Sequence, residues 1–154
     1  MSVFFCDTSG LVKRYVVETG SAWLTSQIAP ANGSRVYIAQ ITIVEVVSAI
    51  TRKERGNHLS AIDAATALNT FETNCLFEFS IVPLSTNLVN EAVVLARKYA
   101  LRGYDAVQLA SALLTQQKRA NAGISPLTLL SADTDLNAAA VSEGLTIDNP
   151  NNHP

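Results

Sequence analysis

Val3, Phe4, Phe5 and Cys6 run directly into Asp7, Thr8, Ser9 and Gly10, and this junction narrows the fold more than any other stretch of the chain. An apolar run with no alternation is the mark of a strand covered on both faces, and here it stops where charge begins. Asp7 is thereby expected at the carboxyl end of a strand. Gly10 to Val17 can continue as a helix whose free amides Thr8 or Ser9 would cap. In open α/β sheets ligands collect beyond the carboxyl ends of the strands, so an acid there is a site candidate.

The rest of the chain repeats the strand and helix alternation. Helical spacing is expected over Gly20–Ile28, Thr42–Arg55, Leu59–Cys75, Asn87–Ala100, Tyr104 to about Asn121, and from Asp133 to Glu143. Short apolar runs at Arg35–Ala39, Phe79–Leu84, Leu127–Ser131 and Leu145–Ile147 read as strands. Strands separated by helices throughout imply a parallel sheet with right-handed crossovers, hence a three-layer α/β/α arrangement. With 154 residues, one domain over residues 1–148 is expected, followed by a frayed tail at 149–154.

The chain carries 13 acidic and 11 basic residues, a net charge of −2 that argues against a general nucleic-acid coat protein. An enzyme with local basic patches remains compatible with it. Arg52-Lys53-Arg55, Arg97-Lys98-Arg102 and Lys118-Arg119 are such groups, either guiding phosphates or simply occupying solvated helix ends. Apolar residues make up 48% and charged ones 16%, so some apolar surface is expected to be covered by a partner. The apolar stretch Ile41–Ile50 is interrupted by Glu45 and falls well short of the roughly 20 residues of a membrane span. No basic segment precedes the first apolar run, so a cytoplasmic protein without membrane association is expected. Cys6 and Cys75 provide neither a zinc spacing nor a disulfide framework.

Four acids stand out by position: Asp7, Glu45, Asp105 and Asp133 each fall at a strand end or helix start inside apolar sequence. Each could be no more than an N-cap or a first-turn acid facing the helix dipole. Glu45 is the hardest to explain that way, because a carboxylate between Ile43-Val44 and Val46-Val47 needs a cation, either Arg52 two turns on along the same face or a ligand. If the four converge they repel, and a divalent ion resolves the conflict. Carboxylates alone favour Mg2+ or Mn2+, and such ions can activate water against a phosphodiester. Neither His58 nor His153 is placed as a general base. Tyr104, beside Asp105, is expected to pack in the core.

At this point the chain resembles the PIN domain, and within it the toxin ribonucleases of VapBC toxin–antitoxin pairs. The matching pieces are Val3 to Tyr15 with its Asp-Thr-Ser-Gly turn, Thr42-Ile43-Val44-Glu45-Val46-Val47-Ser48-Ala49, Tyr104-Asp105-Ala106-Val107-Gln108-Leu109-Ala110-Ser111-Ala112, and Leu130-Ser131-Ala132-Asp133-Thr134-Asp135-Leu136. The resemblance implies that Asp7, Glu45, Asp105 and Asp133 form the catalytic, metal-holding set, with Ser9 as a local support and Asp135 as an outer ligand. It further implies a Mg2+- or Mn2+-dependent endoribonuclease acting on RNA, a homodimer, and a cognate antitoxin that covers the site. Two other readings start from the same acids. One is a catalytically weak PIN-like module that binds metal or a partner. The other is a haloacid-dehalogenase-type phosphatase, which would want a second acid where Ser9 stands.

Overall fold

A computed structural model describes residues 1–154. Five short strands, β1 (Val3–Cys6), β2 (Arg35–Ala39), β3 (Ser80–Val82), β4 (Thr128–Leu130) and β5 (Thr146–Asp148), form one sheet in the order β3-β2-β1-β4-β5. Every pairing is parallel, and β1, first in sequence, lies at the centre between β2 and β4. Phe5 faces Tyr37 on one side and Leu129 on the other.

Burial of β1 on both faces explains its unbroken apolar run. Val3 and Phe5, with Leu129 and Ala39, pack into one core; Phe4 and Cys6, with Val36, Ile38 and Leu130, pack into the other. The first core is closed by α5 (Thr86–Tyr99), α6 (Gly103–Asn121) and α7 (Thr134–Ser142), which supply Leu88, Leu109 and Leu136 among others. The second is closed by α1 (Thr8–Leu11), α2 (Ser21–Gln27), α3 (Gln40–Arg55) and α4 (Ala61–Phe77), through Leu11, Leu24, Ile50 and Phe71. Each fully buried side chain of this size contributes about 1.5–3 kcal/mol of transfer free energy. The three-layer α/β/α architecture expected from the alternation is the observed one. No helix is long and apolar enough to cross a membrane.

Three expectations are corrected. The first helix is a single turn, continued by a 3₁₀ turn over Val12–Arg14, and its cap is Asp7 rather than Thr8 or Ser9. α3 begins two residues earlier than its Thr42 signal, with Ala39 at the N-cap and no side chain bonded there, so Glu45 falls in its second turn. The residues after 148 are not frayed: Pro150–Asn152 forms a 3₁₀ turn, and His153 stacks on Trp23 of α2 with ring centroids 3.9 Å apart while bonding Asp148 at 2.8 Å. Gly20, with φ +83°, is what lets this tail dock, since a Cβ there would meet the Pro150 carbonyl oxygen at 2.1 Å.

Candidate functional site

All strands run the same way, so their carboxyl ends share one edge of the sheet, and three of the four singled-out acids lie on the segments that leave that edge. Asp7 follows β1 directly, Asp133 follows β4 by three residues, and Glu45 sits on the helix that follows β2. Asp105 is brought to the same edge by the first turn of α6.

Asp7 is 3% exposed and its carboxylate is held by its own turn. It accepts from the Gly10 amide at 3.0 Å and from the Ser9 hydroxyl at 2.9 Å. Burial nevertheless dominates and raises its pKa from about 3.8 to about 7, against those hydrogen bonds, which favour the charged form. Ser9 also accepts from the Ala132 amide at 2.9 Å, tying the turn after β1 to the turn after β4. Ser131, 3.4 Å from Ser9, accepts from the Asp133 amide at 3.1 Å. The support expected of Ser9 is thus a physical bridge between the segments that carry Asp7 and Asp133.

Glu45 takes neither explanation available to it in sequence. Its Oε1 accepts from Thr8 Oγ1 at 2.8 Å and from Gln108 Nε2 at 2.9 Å, while Oε2 has no protein donor and Arg52 is not its partner. Gln108, 2% exposed on α6, also donates to Thr42 Oγ1 at 2.9 Å, and its own Oε1 has no partner. This amide is the site residue that sequence reading missed. The available signal was its position: three residues after Asp105, on the same helix face, in an otherwise apolar stretch. Replacing Gln108 by Leu removes the donor that serves Glu45 and Thr42 but also the unpartnered oxygen. The expected loss of stability is about 1–2 kcal/mol, the lower part of the range for orphaning buried polar groups, read from urea unfolding midpoints.

Asp105 and Asp133 are brought together by Arg102, whose Nε donates to Asp105 at 3.0 Å and whose terminal amino group donates to Asp133 at 3.2 Å. Asp133 also caps α7, accepting from the Leu136 amide at 2.9 Å. Burial pushes the Asp105 carboxyl up, as do the charges of Asp133 and Asp135, and Arg102 opposes them. Asp135 is exposed, close enough to Asp105 to act on its charge. A crevice of about 540 Å³ is lined by Glu45, Arg102, Gly103, Tyr104, Asp105 and Val107. Tyr104 stands at its rim, 64% exposed, instead of packing in the core.

The four acids therefore meet at one edge as two linked pairs. Asp105 and Asp133 share a guanidinium, and Glu45 is hydrogen-bonded to the residue after Asp7. The donor set is entirely hard oxygen, which suits a divalent ion of the magnesium type. As the side chains stand, no three acidic, histidine or cysteine groups are drawn together closely enough to hold one ion.

A parallel three-layer sheet with an acidic crevice at its carboxyl edge defines the class: an α/β protein whose polar chemistry is gathered where the strands end. Within it, the sequence matches the PIN domain family model over residues 4–142, and the chain belongs to the PIN domain family. PIN domains generally use divalent metal ions. No curated protein matches the sequence. Among solved structures, the fold is similar to VapBC2 from Rickettsia felis bound to a promoter DNA fragment (TM-score 0.64, 12% identity, 96% of this chain and 98% of that one). It is also similar to FitAcB from Neisseria gonorrhoeae (TM-score 0.63, 20% identity, 96% and 97%). A third is the sarcin-ricin loop cleaving toxin VapC20 from Mycobacterium tuberculosis (TM-score 0.59, 16% identity, 88% and 94%).

Proposed function

We propose that this protein is a metal-dependent endoribonuclease and the toxin of a toxin–antitoxin pair, with Asp7, Glu45, Asp105 and Asp133 holding Mg2+ or Mn2+. The observation that carries the reading is that the carboxyl edge of a PIN domain's sheet carries Asp7, Glu45, Asp105 and Asp133, with Glu45 and Asp105 lining one crevice there and Arg102 joining Asp105 to Asp133. Similarity to toxin–antitoxin complexes and to a toxin that cleaves the sarcin-ricin loop supports the toxin assignment.

A divalent ion bound there would activate water and neutralise the charge developing on a phosphodiester. The chain's own residues do the positioning. Ser9 and Gly10 aim the Asp7 carboxylate, Thr8 and Gln108 fix one oxygen of Glu45 so that the other faces no protein donor, and the α7 N-terminus orients Asp133. Arg52, Arg55, Arg97 and Lys118 have no acidic partner, in contrast to Lys13, Lys53 and Lys98, and are available to phosphates of RNA. Exposed apolar side chains on α4 and α5, including Ile62, Phe77, Val93 and Val94, suit coverage by a second copy or by an antitoxin in the cytoplasm.

The test is cleavage of RNA by the purified chain with Mg2+ or Mn2+ and with a chelator. Cleavage that disappears on chelation is expected; cleavage indifferent to chelation overturns the reading. The engagement of Asp105 and Asp133 by Arg102 favours one second reading, a PIN-like binding module without hydrolysis. Calorimetric metal binding with no cleavage of any RNA offered would select it.

A further inference from the structure

We infer that Arg102 is a built-in counter-cation of the Asp105–Asp133 pair, which a divalent ion must displace to bind. The inference rests on the proposal that these two acids take up a metal ion, and it deepens that proposal by naming what competes for them.

Helix physics does not account for an arginine at this position. Arg102 is the N-cap of α6, a place favoured by small residues whose side chains accept from the first amides, and it makes no such bond. A positive charge there also faces the positive end of the helix dipole, the unfavourable arrangement. What does account for it is the pair of carboxylates. The planar guanidinium reaches one acid three residues ahead and another on a separate element, 3.0 and 3.2 Å away. Such a fork matches two carboxylates that repel one another.

The contact is also built to be released. The Arg102 side chain is 82% exposed and its only hydrogen bonds are to Asp105 and Asp133. A Cβ on neighbouring Gly103 would find open space, so nothing hems in the first turn of α6. Arg119 shows the alternative: it is 5% exposed and fastened to Ser125 and Tyr37, an arginine that belongs to the packing. Displacing Arg102 needs no rearrangement of the core, only exchange of one cation for another. With the guanidinium bound, Asp105 and Asp133 each commit an oxygen to it, and no three acids are grouped for a metal.

Mn2+ titration calorimetry on the whole chain tests this, with Arg102→Ala and Arg102→Lys beside the parent. Arg35→Ala, at the opposite end of the strands, controls for net charge. Arg102→Ala is expected to bind Mn2+ about three- to tenfold more tightly, the ratio that corresponds to losing two exposed ion pairs. Arg102→Lys should fall between, because lysine cannot fork, and Arg35→Ala should match the parent. The metal-free Arg102→Ala protein should melt below the parent and gain more on adding Mn2+. Binding by Arg102→Ala that equals or falls below the parent's overturns the inference while leaving the metal site intact. If neither the parent nor any variant binds Mn2+, the metal reading itself fails.

Discussion

Asp7→Asn is expected to reduce RNA cleavage by at least about 100-fold, beyond the 10- to 100-fold that outer partners of a metal site contribute, and to leave the fold in place. Asparagine keeps a carbonyl oxygen for the Gly10 amide, so the turn after β1 retains its cap. What is lost is the negative charge of the most deeply buried of the four acids. The same substitution has a signature in stability that is independent of cleavage. Because burial raises the folded-state pKa of Asp7 from about 3.8 to about 7, protonated Asp7 contributes stability that is fully present at low pH and is lost as pH rises through about 7. The metal-free parent should therefore lose thermal stability between about pH 4 and 7 and level off above that, and Asp7→Asn should lack that decline. A variant that cuts RNA like the parent shows that Asp7 is not in the site; a parent with a flat profile shows that its carboxyl titrates normally.

Gly10→Ala is expected to cost about 2–3 kcal/mol, toward the upper end of overpacking penalties. A Cβ on Gly10 would stand 2.6 Å from the carbonyl oxygen of Leu130 and 3.5 Å from Asp7 Oδ1. The obstructing atom is backbone, and the same oxygen accepts from the Asp7 amide at 3.2 Å, so it cannot swing aside as a side chain would. Relief requires α1 to move off β4, which carries the Asp7 carboxylate away from the Ser9–Ala132 bridge. Gly103→Ala, where a Cβ meets nothing within 4 Å, serves as the contrast and should change stability by less than about 0.5 kcal/mol. Denaturant unfolding of the two variants decides the matter. Equal behaviour would mean that the close approach of α1 to β4 is not a constraint.

The fold was legible because its signals are local. The unbroken apolar run of β1, the serine caps of α4 and α5, and the regular return of strands all depend on neighbours in sequence. Ser60 and Ser85 cap α4 and α5, accepting from the Asp63 and Leu88 amides. The positions of the four acids were legible for the same reason, since strand ends and helix starts announce themselves. Their partners were not. That Gln108 serves Glu45, that Ser9 bridges to Ala132, and that Arg102 reaches Asp133 are facts about residues 31 to 123 positions apart. Helical spacing offered Arg52 to Glu45, and a long-range amide and hydroxyl took its place. The tail was misjudged because Pro, Asn and His signal a loop in sequence, whereas docking depends on Trp23 and on the room that Gly20 leaves.

The central strand is the first to be synthesised, yet one of its two neighbours is among the last. Phe4 to Cys6 must wait for Thr128 to Leu130 before the sheet can close, at ribosomal speeds of about 5–20 residues per second a delay on the order of ten seconds. Throughout that interval a nascent chain holds Asp7 and Glu45 but has no Asp133 to set beside them. A nascent chain therefore has its complete acidic edge only once β4 and the turn that follows it have been made.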